Sequence, residues 1–141
     1  LKRLSENFYP GLIYASVIML LMGLPGKYFP TVVCFWDWLS PDKIIHLILF
    51  AVLPCVTLWG YRKHLFNQNY QHRKKLIITI TVISILYGGL TELMQKYVFI
   101  NRYCSIFDFL ADALGSIIGV IFFTFIMQKK MKKIKKSDVN I

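Results

Sequence analysis

Acidic residues are scarce in this chain, with seven Asp and Glu against seventeen Lys and Arg, and charge of either sign is thin. Charged residues make up 17% of the sequence, where an ordinary soluble domain has about a quarter. The apolar share is 56%, too high for a free-standing soluble enzyme. Disorder is excluded by the opposite argument, because it requires few aromatics and here 16% of residues are Phe, Trp or Tyr. Cysteine is limited to Cys34, Cys55 and Cys104, with no CxxC-type spacing, so cysteine offers no metal site. There is no HExxH-like motif and no Ser or Cys nucleophile signature, and neither a metal nor a cofactor is read from the sequence. No repeat or low-complexity linker divides the 141 residues, which form a single domain, 1–141.

What the chain does have is long uncharged runs. Four of them, at about 9–25, 43–61, 76–98 and 106–128, are long enough to cross a bilayer once tilt is allowed. No A-x-A-like cleavage site follows the first, so it is read as an uncleaved span. Pro54 predicts a kink in the second. The third opens with the β-branched stretch Ile77–Ile83, yet a lone strand in lipid leaves its backbone unsatisfied and a helix does not. The expected fold is therefore all-α, a polytopic membrane protein built as a four-transmembrane-helix bundle.

The distribution of charge sets the expected orientation. The N-terminal arm with Lys2 and Arg3, the connection from Arg62 to Lys75 and the tail 129–141 hold the whole of the net positive charge, and the remainder is slightly negative. With four spans all three basic segments fall on one side, which the positive-inside rule makes cytoplasmic, both termini included. Basicity confined to the flanks of apolar runs points to anionic lipid headgroups as partners and away from nucleic acid. Tyr28, Phe29, Phe35, Trp36 and Trp38 then form an aromatic belt on the outer side.

Several polar residues stand where lipid would exclude them. Asp42, Lys43 and His46 share a face at the outward end of the second span, Glu92 and Gln95 share one in the third, and Asp108 and Asp112 lie about 6 Å apart along the fourth. Arg102 and Ser105 belong to the same outer end. The spacing predicts one outward-facing polar pocket drawn from three helices, with Asp42, Lys43, His46, Glu92, Gln95, Arg102, Ser105, Asp108 and Asp112 as ligand-binding candidates. Structural roles stand beside this reading. Ser40-Pro41-Asp42 fits a helix start, Ser105 and Asp108 have the spacing of a capping box, and Lys43, Lys96 and Arg102 would serve a static ion-pair network. Glu92, His46 and Asp112 lie too deep for capping and are the candidates for acid–base chemistry.

Ala111, Gly115 and Gly119 form a small-residue ladder in register with Asp108 and Asp112. It lets another helix approach closely, either within the chain or in a homo-oligomer. Cys55 reads as a buried apolar residue, while Cys34 and Cys104 fall on the same outer side and leave a disulfide open.

The string Asp42-Lys43-Ile44-Ile45-His46, then Tyr87-Gly88 and Glu92-Leu93-Met94-Gln95, then Arg102, Ser105 and the run from Asp108 to Gly115, resembles the VanZ family of small bacterial membrane proteins over about residues 37–120. Two departures are visible: Asp112 stands where the family commonly has Asn, and Phe99-Ile100-Asn101 lacks a Pro often found before the motif Arg. The resemblance implies a multi-pass protein of the bacterial cytoplasmic membrane with a cell-envelope role, in a family named for an association with teicoplanin resistance. The expected function is binding of a lipid headgroup, a lipid-linked precursor or a glycopeptide-type amphiphilic antibiotic in the outer pocket. An intramembrane acid–base or metal-assisted enzyme acting on an envelope lipid or precursor is the alternative.

Overall fold

The structure, a computed structural model, describes residues 8–23, 41–67, 69–99 and 105–139. Among these are five helices, α1 (Tyr9–Met22), α2 (Pro41–Gly60), α3 (Arg62–Asn67), α4 (Tyr70–Tyr97) and α5 (Ile106–Val139), and no strand. The β-branched run Ile77–Ile83 is helical within α4. Helices α2, α4 and α5 are long and apolar enough to cross a membrane. The described part of the first run, α1, has 14 residues and spans about 21 Å, short of a hydrocarbon core of about 30 Å.

Two helices extend well beyond their apolar runs. Helix α4 begins at Tyr70, so Arg73, Lys74 and Lys75 lie on a helix instead of in a loop, and α5 continues through the Lys-rich tail to Val139. Lys and Arg are good helix formers, and their long side chains can leave the apolar boundary for water without ending the backbone hydrogen bonding. Asn69 sets the start of α4, its Oδ1 accepting from the Tyr70 amide at 2.8 Å. Pro54 sits inside α2 without ending it.

The helices alternate in direction. Gly11 near the start of α1 packs on Thr57 near the end of α2, while Met22 at the other end of α1 receives the Gln95 amide from the end of α4. Lys43 of α2 pairs with Asp108 at the start of α5, and Cys55 lies beside Gly119 a few turns further along both. Helices α1 and α4 thus run one way and α2 and α5 the other. The α2–α5 contact is the closest. A methyl group on Gly115 would collide with the Leu47 carbonyl and one on Gly119 with the Ala51 carbonyl, and the Cys55 thiol donates to the Gly119 carbonyl at 3.1 Å. The small-residue face that the sequence offers to a neighbouring helix is therefore filled by α2 of the same chain, and a second copy cannot use Gly115 and Gly119.

Two apolar clusters brace this frame. Ile18 and Met22 of α1 pack with Phe50 and Leu53 of α2, and at the basic end Leu58, Tyr61 and Leu65 meet Ile80 and Met127. Hydroxyls inside the helices bond back to the preceding turn, as Thr57 does to Leu53 and Ser84 to Ile80, which satisfies them without water. Outside, Leu20, Leu86, Ile121 and Phe122 are exposed, together with many other large apolar side chains. A surface of this kind suits lipid and would be an aggregation liability in water.

Candidate functional site

The direction of the helices brings one end of α2, α4 and α5 together, and it is the end where their polar residues lie. His46, Glu92 and Asp112 are all buried there. His46 Nδ1 donates to Asp112 Oδ1 at 2.9 Å and lies 3.7 Å from Glu92 Oε1. An ionised Asp112 carries only acceptors, which places a ring proton on Nδ1. Among the described residues, buried Nε2 has no hydrogen-bond partner, nor do Glu92 Oε1 and Asp112 Oδ2.

Glu92 has a second engagement that the sequence did not disclose. Its Oε2 accepts from the backbone N–H of Ser105 at 3.0 Å, immediately before α5 begins. A carboxylate from α4 thereby sits at the positive end of the α5 dipole, where the spacing of Ser105 and Asp108 predicts a capping box. Asp108 does not serve as a simple cap, because its Oδ1 lies 3.7 Å from Lys43 Nζ across the α2–α5 contact. The seat of Asp112 is made by Gly88 of α4: a methyl group there would approach Asp112 Cβ to 2.8 Å. Ser116, one turn beyond Asp112, is buried with an unpartnered Oγ and was absent from the candidates. Its signal was the continuation of the Asp108–Asp112 face by one more turn.

His46 belongs to two groups of ligand-type atoms. One consists of His46, Glu92 and Asp112 and the other of Asp42, His46 and Asp108, and within each group the atoms lie within 4.8 Å of one another. Six of the candidates, Asp42, Lys43, His46, Glu92, Asp108 and Asp112, are thus gathered in one place, and Ser105 joins through its amide. Gln95 is buried but turned toward α1, its Nε2 donating to Met22 Sδ at 3.5 Å. Lys96 is outside the cluster, with its ammonium 5.2 Å from the Tyr97 ring centre. Arg102, the pair Cys34 and Cys104, and the aromatic belt from Tyr28 to Trp38 lie outside the described residues.

Beside the cluster, α2 and α5 leave an apolar groove on the outer surface of the bundle. Among the described residues it is lined by Ile44, Leu47, Phe107, Leu110 and Leu114, with Lys43 contributing a cationic group.

Fold and site together define a helical, multi-pass membrane protein with a buried imidazole–carboxylate cluster at one end of its spans. No family model, curated protein or solved structure matches the chain.

Proposed function

We propose that this is a four-span, VanZ-like protein of the bacterial cytoplasmic membrane, with both termini cytoplasmic and a polar site near the outer surface that binds the head of an anionic amphiphile. Membrane lipids, lipid-linked envelope precursors and amphiphilic antibiotics of the glycopeptide type share that chemistry. The observation that carries the reading is the junction of the Lys43–Asp108 pair with the apolar groove of α2 and α5. An anionic head would compete with Asp108 for the Lys43 ammonium, forming a charge-assisted hydrogen bond at a partly dehydrated site. The orientation is supported by the helix directions, which put the basic residues of α3, the start of α4 and the end of α5 opposite the cluster.

Lipid analysis of the full chain, purified in mild detergent, tests this. An anionic amphiphile should co-purify in stoichiometric amount and well above its share of the bulk lipid. Lys43→Gln should reduce it several-fold by removing the cation, and Leu110→Trp should do so by filling the groove. Bound lipid that only mirrors the bulk membrane in all three proteins would refute the reading.

One observation favours the alternative of an intramembrane enzyme. An imidazole held at Nδ1 by Asp112, with Nε2 unpartnered and Glu92 close by, is arranged for proton transfer. On that reading His46 is the acid–base group, Asp112 orients it, and Glu92 is the second carboxyl group of the pair.

A further inference from the structure

We infer that His46, Glu92 and Asp112 form a binding site for a divalent transition-metal ion of the Zn2+ or Mn2+ type. The inference is independent of the amphiphile reading, since it concerns the interior of the bundle and not the groove on its surface.

Geometry comes first. Two ligand atoms each about 2.1 Å from one metal ion are separated by about 3.0 Å when they subtend a right angle and by about 4.2 Å when they are opposite. His46 Nδ1 is 3.7 Å from Glu92 Oε1, within the range that a shared ion requires, and 2.9 Å from Asp112 Oδ1, a hydrogen-bonded distance just below it that a small outward shift brings into range. The three residues come from α2, α4 and α5, which is why no sequence motif announced them. Helix packing sets their positions: Gly88 gives Asp112 its seat, and the Ser105 amide fixes the other oxygen of Glu92. One carboxylate oxygen of Glu92 is thus anchored while its partner oxygen remains available, an outer-shell arrangement common at metal sites.

Unsatisfied polarity is the second, independent observation. Glu92 Oε1, Asp112 Oδ2 and His46 Nε2 are all buried without a hydrogen-bond partner among the described residues, and their side chains are almost wholly shielded. An unpartnered carboxylate oxygen in an apolar interior is strongly unfavourable, and one of these, Glu92 Oε1, stands 3.7 Å from the imidazole Nδ1. A divalent cation satisfies both carboxylates at once. For Nδ1 to become the ligand the ring must carry its one proton on Nε2: a neutral ring shifts its proton from Nδ1 to Nε2, and an imidazolium releases the Nδ1 proton.

The donor set selects the class of metal. One imidazole nitrogen with carboxylate oxygens suits Zn2+ and Mn2+, whereas Cu(I) would require thiolate or thioether sulfur. Cys55 lies more than two turns along α2 from His46, its thiol engaged with the Gly119 carbonyl. Three protein ligands leave coordination open for water or for a substrate oxygen.

The chain has three histidines, His46, His64 and His72. In the full-length protein carrying His64→Gln and His72→Gln, His46 is the only imidazole, and the cluster itself is untouched. This protein should be stripped with chelator in detergent, titrated with MnCl2 and with ZnCl2, desalted, and analysed for bound metal. Stoichiometric uptake is expected, together with a rise in Tm and, for Mn2+, magnetic coupling to an imidazole nitrogen in pulsed electron paramagnetic resonance. Adding Glu92→Gln should weaken binding roughly tenfold or more. Absence of uptake, or bound Mn2+ without nitrogen coupling, would overturn the proposal whether or not the Glu92 variant folds. Lipid content measured on the same samples reports separately on the amphiphile reading.

Discussion

His46 donates to Asp112 and stands near Glu92 with no exposed surface of its own, so replacing its ring by a methyl group leaves two carboxylates facing one another in an apolar interior. His46→Ala is expected to destabilise the protein by about 3–5 kcal/mol, the scale of breaking a buried pair from one side. Asp112→Asn should behave differently. The amide oxygen still accepts from Nδ1 and the shape is nearly the same, so stability should stay within about 1 kcal/mol of wild type. Thermal unfolding of the two variants in one detergent checks the order, and equal losses would show that the pair contributes packing alone. The same comparison bears on function, because Asn is common at this position in the family that the sequence resembles. If a folded Asp112→Asn protein retains whatever envelope phenotype the wild type confers, hydrogen bonding and shape suffice there. Loss of the phenotype would indicate that the carboxylate's charge is needed, as a metal ligand or in proton transfer.

At the level of helices, two adjacent glycines of α4 separate packing from propensity. A methyl group on Gly88 meets Asp112 Cβ at 2.8 Å and its Oδ2 at 3.2 Å, whereas one on Gly89 meets nothing nearer than the Phe109 ring at 3.5 Å. Gly88→Ala must therefore displace Asp112 or spread α4 from α5 and should cost about 1–3 kcal/mol, while Gly89→Ala should be neutral or stabilise by up to about 1 kcal/mol through helix propensity. Metal uptake and Tm measured side by side on the two proteins test this, and similar behaviour would contradict the described seat of Asp112. Much of this level was legible in the sequence. The apolar runs located α2, α4 and α5, and the shared register of Asp108, Asp112, Gly115 and Gly119 correctly predicted that one face of α5 both packs and carries the acids. The rest was not legible, because it depends on which helix meets which. No spacing within a single helix discloses that Glu92 holds the Ser105 amide, that Gly88 lies under Asp112, or that Gly119 meets Ala51. The helix ends were missed for a related reason: hydropathy marks where lipid stops, and Arg73–Lys75 and the Lys-rich tail remain helical beyond that limit.

For the whole molecule, alternating helix directions place the imidazole–carboxylate cluster at one end and the basic residues of α3, the start of α4 and the end of α5 at the other, and the proposed orientation, resting on the positive-inside rule, has the cluster on the outer side. Asn69 lies at the basic end and is exposed, and Lys96 lies at the cluster end and is exposed. The most direct measurement of this arrangement uses a background without native cysteines, into which Asn69→Cys and Lys96→Cys are introduced singly. An impermeant thiol reagent is then applied to intact cells and, separately, to opened membranes. The account predicts that Lys96→Cys is labelled in intact cells and that Asn69→Cys is labelled only after the membrane is opened. Labelling of Asn69→Cys from outside, with Lys96→Cys protected, would place the cluster on the cytoplasmic face and contradict an outward-facing site.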